Sequence, residues 1–162
     1  MSTLLLKIRE GCEEPYVEFH VDGEDLGSRV TAALGEAGFD DVLPWYGGDY
    51  KIDETVLGER ARQNGAEGAI LFACGCGYSA CSAVFANVDV VGDTLTLREF
   101  STWRGAQKVI ASMAPVVFDR AQYDDAVRQL EREVETWRPP PKVEVSRRGL
   151  VTPPPTGPKG GN

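Results

Sequence analysis

The chain has 162 residues, 42% of them apolar, and a formal charge of −8. That length and apolar share suit one ordinary domain with its own core. From Pro139 onward Lys142, Arg147, Arg148 and Lys159 face one acid, Glu144, a tail of +3; taking +3 from −8 leaves residues 1–138 at −11, which excludes nucleic acid and anionic membrane as partners and favours a basic protein.

The apolar run Leu4–Leu6 is far short of a leader's core or of the roughly 20 residues a membrane helix needs, so the chain is expected in the cytoplasm, where thiols stay reduced. Residues 3–9 and 16–21 flank a turn and predict a hairpin with Leu4, Leu6, Ile8, Val17, Phe19 and Val21 on one face. Lys7, Arg9, Glu18 and His20 fall on the other, solvated face. Asp25 predicts the cap of a short helix through Leu26, Val30, Ala33 and Leu34, ending near Gly38. A second helix is expected over 52–65, with Asp53 as its cap, Ile52 stapled to Leu57 and Gly65 as its stop. Between the two, Trp45, Tyr46 and Tyr50 sit among Pro44, Gly47 and Gly48, a loop whose rings either meet a partner or close over the core.

Residues 69–74 read as a buried strand. Residues 83–91 and 94–100, joined by Gly92 and Asp93, predict a tight hairpin pairing Val90 with Leu95, Val88 with Leu97, Asn87 with Arg98, Ala86 with Glu99 and Phe85 with Phe100. Beyond it, Trp103 and Arg104 either join Trp45 and Tyr46 in a contact patch or divide into a core ring and a surface cation. An Asp119-x-x-Gln122 capping box opens a last helix with Tyr123, Ala126, Val127, Leu130, Val134 and Trp137 on one stripe. Residues 139–162, with seven prolines and four glycines, are expected to form an extended, disordered tail. The reading is an α+β domain over 1–138, an antiparallel sheet of about five strands (two hairpins plus a central strand), with about three helices packed on one face and a Pro/Gly-rich tail over 139–162.

Cys74, Cys76 and Cys81 lie within eight positions. Strand alternation puts Cys74 and Cys76 on one face, and Cys81 returning from the turn makes a third sulfur ligand for zinc, with Cys12 the preferred fourth. Two other readings stand beside it: small buried apolar residues, or a reversible disulfide from Cys81 to Cys74 or Cys76. Nucleophilic catalysis by a cysteine ranks below these, because His20 is the sole imidazole available as a base.

The run from Leu71 to Cys81, followed by a strand hairpin and then residues 118–127, resembles a family of small uncharacterised bacterial proteins of actinobacterial type, with a Cys-x-Cys-Gly segment and a further cysteine before paired strands. The resemblance covers about residues 68–135 and implies no activity. A phosphate-binding loop is absent, since the glycines at 75 and 77 lack the later Gly and Lys-Ser/Thr. The acidic pairs Glu13–Glu14, Asp40–Asp41 and Asp124–Asp125 read as solvated surface. The functional expectation is therefore a non-catalytic, acidic cytoplasmic protein that binds another protein, as toxin-neutralising immunity proteins do, with no cofactor. A zinc or thiol redox protein is its rival.

Overall fold

The computed structural model describes residues 1–12, 15–39, 45–47, 55–74 and 83–142, and its class is α+β. β1 (Leu4–Ile8) and β2 (Val17–Val21) pair antiparallel with Leu4 opposite Val21, Leu6 opposite Phe19 and Ile8 opposite Val17. The expected apolar face is thereby buried, and the hairpin starts a sheet of its own. Asp22 and Gly23 take φ of 53° and 83°, the left-handed pair of a two-residue hairpin loop, and lead into β3 (Glu24–Asp25). The Asp25 carboxylate accepts the Ser28 N–H at 3.1 Å and caps α1 (Leu26–Glu36), whose Leu26, Val30, Ala33 and Leu34 are buried.

The second helix is shorter than expected. α2 runs Glu59–Asn64 from a Gly58 cap that makes no side-chain bond, and the positions of Ile52 and Asp53 lie outside the described residues. Burial overrides helix propensity here: Val56 and Leu57 are core residues, and the Val56 N–H donates to the Ile70 carbonyl at 2.9 Å. The expected stop at Gly65 is found. A Cβ there would lie 2.6 Å from the Val88 carbonyl oxygen, so the position needs glycine for space as well as for its φ of 76°.

The larger sheet runs in the order β4 (Trp45–Gly47), β5 (Ala66–Cys74), β6 (Ala83–Val91), β7 (Thr94–Arg104) and β8 (Gln107–Ile110). Its sixth strand, β9 (Val116–Asp119), shares one edge of β7 with β8: β9 lies against Thr94–Leu97 and β8 against Ser101–Arg104. From Asn87–Arg98 to Val91–Thr94 the β6–β7 register is the expected one. Beyond Arg98 it shifts, because Glu99 takes φ of 53° as a bulge residue; Phe85 meets Ser101 instead of Phe100. Phe100 then enters the core beside Leu95 and Leu97, all three fully buried.

α3 (Arg120–Thr136) packs along β1 and buries Tyr123, Val127 and Leu130. Half of the capping box forms: Asp119 accepts the Gln122 N–H at 2.9 Å. The Gln122 side chain goes elsewhere. Its Oε1 accepts the Leu4 N–H at 3.1 Å and its Nε2 donates to the Leu4 carbonyl at 2.8 Å, so the amide pairs with β1 as a neighbouring strand would. Nearby, the Ser2 N–H donates to the Val117 carbonyl at 2.7 Å. The two sheets meet through Phe19 and Phe72, edge to face at 5.5 Å. The Tyr123 hydroxyl donates to the Val56 carbonyl at 3.1 Å, while Arg62 donates to the Leu57 carbonyl at 2.9 Å and to Asp124 at 2.8 Å. These bonds tie residues 56–57 and α2 to α3.

Two predictions follow from these bonds. Gln122→Ala leaves the part-buried Leu4 N–H and carbonyl without their partner and is expected to lower unfolding free energy by about 1–3 kcal/mol, measured by urea titration. Burial pushes the Tyr123 hydroxyl pKa well above the ordinary value of 10.0. The unfolded chain therefore releases this proton first. Its stabilising contribution is complete below the ordinary tyrosine range and lost as pH rises above it. Tyr123→Phe should flatten that alkaline loss in melts taken across the tyrosine range.

Candidate functional site

The strand ends carry the chemistry-bearing residues toward one end of the larger sheet. Trp45 lies opposite Cys74 and Tyr46 opposite Ala73 on β4 and β5. Ala73 faces Ala83 on β6, and the Ala83 carbonyl accepts the buried Thr102 hydroxyl of β7 at 2.9 Å. The next residues of β7 are Trp103 and Arg104. Arg104 donates to the Gly38 carbonyl and lies 6.0 Å over the Phe39 ring, which anchors the strand end to the end of α1. Backbone pairing thus brings Trp45, Tyr46, Cys74, Trp103 and Arg104 to one region from three separate parts of the sequence. Tyr50 lies outside the described residues.

Trp103 is 52% exposed, so it is a surface ring and not a core ring. Alternation along the β7–β8 ribbon explains this. Thr102 and its partner Val109 are buried, which leaves Trp103, its partner Lys108, and the Ser101–Ile110 pair on the opposite face. Ile110 is 51% exposed. Lys108 donates to Glu99 at 2.6 Å, and this bond, ahead of the ammonium's charge, holds the Glu99 carboxyl below its ordinary range.

The cysteines divide between regions. Cys74 ends β5, and Cys76 and Cys81 lie outside the described residues. Cys12 sits in the β1–β2 turn as a free thiol, its Sγ 4.0 Å from the Glu10 carbonyl oxygen of the same turn. Among the described residues no three His, Cys, Asp or Glu side chains gather as a metal set. His20 is on the outward face of β2, bonded to Glu18 at 3.1 Å. At the far end of β6 an open groove of about 480 Å³ is lined by Asn64–Glu67 and Val88–Val91. Asp89 in that groove is engaged by Arg98, which also raises the arginine's own pKa.

No protein-family model, curated protein or solved structure matches this chain. No described helix is long and apolar enough to cross a membrane.

Proposed function

We propose that this chain is a non-catalytic cytoplasmic protein that binds a basic protein, in the manner of an immunity protein, through the sheet end built from Trp45, Tyr46, Trp103 and Arg104. The half-exposed Trp103, next along β7 to an Arg104 held by Gly38 and Phe39, is the observation that carries the reading. Rigid aromatic and arginine side chains supply most contact energy in protein interfaces, and this pair is fixed by a strand rather than by a loop. The acidic body supplies the second half of the argument. Arg9, Arg29, Arg62, Arg98, Lys108 and Arg128 are each engaged with an acid of the same chain. The excess of carboxylates therefore remains available to draw in a basic partner.

Affinity purification with the wild-type chain is expected to retain a partner that Trp103→Ala loses, with unchanged circular dichroism, and whose affinity falls as salt is raised. Finding no partner at micromolar concentration would sink the proposal.

One observation favours a second reading. Cys74, Cys76 and Cys81 lie within eight positions of the sequence, between the paired residues Ala73 and Ala83; Cys74 ends β5, while Cys76 and Cys81 lie outside the described residues. A zinc or thiol role for these three needs that closeness. On this reading, protein purified without chelator carries about one zinc per chain, lost with the fold in EDTA, and Cys81→Ser removes it. Metal-free protein with three freely alkylated thiols in this segment rules it out.

A further inference from the structure

The larger sheet runs from β4 at one end to β8 at the other. β8 is its terminal strand, and among the described residues no strand pairs with its outer edge. The direction of its backbone groups follows from the ladder. The Ala111 N–H donates to the Phe100 carbonyl at 2.8 Å, and Thr102 lies opposite Val109. In an antiparallel pair the hydrogen-bonded positions recur every second residue, so Gln107, Val109 and Ala111 turn their N–H and C=O toward β7. Lys108 and Ile110 turn theirs outward. By contrast, β1 has its exposed edge occupied at Leu4 by the Gln122 amide. The chain thus protects one edge with a side chain and presents the other with an exposed isoleucine beside an exposed tryptophan.

We infer that β8 pairs with β8 of a second copy of this chain, antiparallel and symmetric about Val109. In this register Lys108 of each copy lies opposite Ile110 of the other. Both outward N–H and both outward C=O groups on each strand find partners, giving four hydrogen bonds across a two-fold axis. A register shifted by one residue would set core-facing side chains against outward ones. A register centred on Lys108 would set the two ammonium groups directly opposite each other. Symmetry about Val109 avoids both and brings the two Ile110 side chains together diagonally. Local charge permits the approach, because Lys108 is neutralised by Glu99 of its own chain. The remaining obstacle is the general repulsion between two acidic bodies, which salt screens over about 8–10 Å. Raised salt therefore strengthens this contact, whereas it weakens the capture of a basic partner.

Analytical ultracentrifugation of the full chain, from low micromolar to about 1 mM, tests the proposal. A monomer–dimer equilibrium that tightens with salt is expected. Ile110→Lys, which sets like charges opposite each other, should weaken it about tenfold or more, while Ile110→Glu, which faces the other copy's Lys108, should retain it. Amide exchange supplies a measurement free of substitutions: the Lys108 and Ile110 N–H groups should become protected as concentration rises. A wild-type monomer at every concentration and salt overturns the proposal. So does a dimer indifferent to Ile110→Lys, or concentration-independent exchange at these two amides. Equal loss in Ile110→Lys and Ile110→Glu overturns the stated register.

Discussion

The bulge at Glu99 decides which residues of this protein are inside. Strict alternation from Leu95 and Leu97 would carry Glu99, Ser101 and Trp103 onto the core face. Burying the Glu99 carboxylate there without a partner would cost several kcal/mol. With Glu99 at φ of 53° the strand gains one residue, Phe100 and Thr102 take the core positions, and Trp103 turns outward. The same residue that avoids the core then uses its carboxylate on the opposite face to hold Lys108. A single backbone irregularity therefore produces both the filled core and the exposed ring.

The bulge also falls between the two stretches of β7 that carry different neighbours. Leu95 and Leu97 face Phe118 and Val116 of β9, while Ser101 and Trp103 face Ile110 and Lys108 of β8. Through β9 the strand leads directly into α3, whose Gln122 reaches back to Leu4. The smaller sheet is thereby fixed to the larger by an amide pair and by Phe19 against Phe72, so α3 acts as the joint between them.

Where a local period is strong and its partner lies close in sequence, the fold was legible. The hairpin of β1 and β2, the stripe of α1, the β6–β7 pairing as far as Arg98 and the amphipathic face of α3 all depend on contacts that repeat every two or every three to four residues. Elements governed by distant contacts were not. Val56 and Leu57 leave the expected helix because the core and Ile70 hold them, and β9 is four residues whose strand character comes from β7. β3 has a local signal, since Asp22-Gly23 is a two-residue hairpin sequence. Nothing in the residue type marks Glu99 as a bulge, and so the exposure of Trp103, the best candidate contact residue, could not be read from alternation. Of the expected site, the structure brings Trp45, Tyr46, Cys74, Trp103 and Arg104 to one sheet end and leaves Cys12 in a separate turn.

Charge and contact have separate roles in this molecule. The described cations at the sheet end and on β8 are held internally, Arg104 by Gly38 and Phe39 and Lys108 by Glu99, so neither is a loose charge for a partner to find. The net acidity belongs to the body as a whole and acts over roughly a Debye length, about 8 Å at physiological ionic strength. A field of that range guides approach but does not choose an orientation. Orientation has to come from what is rigid and uncovered at the surface. Among the described residues of the larger sheet, Val91, Trp103, Ile110 and Val117 are the exposed large apolar side chains, and of these Trp103 and Ile110 stand on the paired strands β7 and β8, whose buried faces fix them in place.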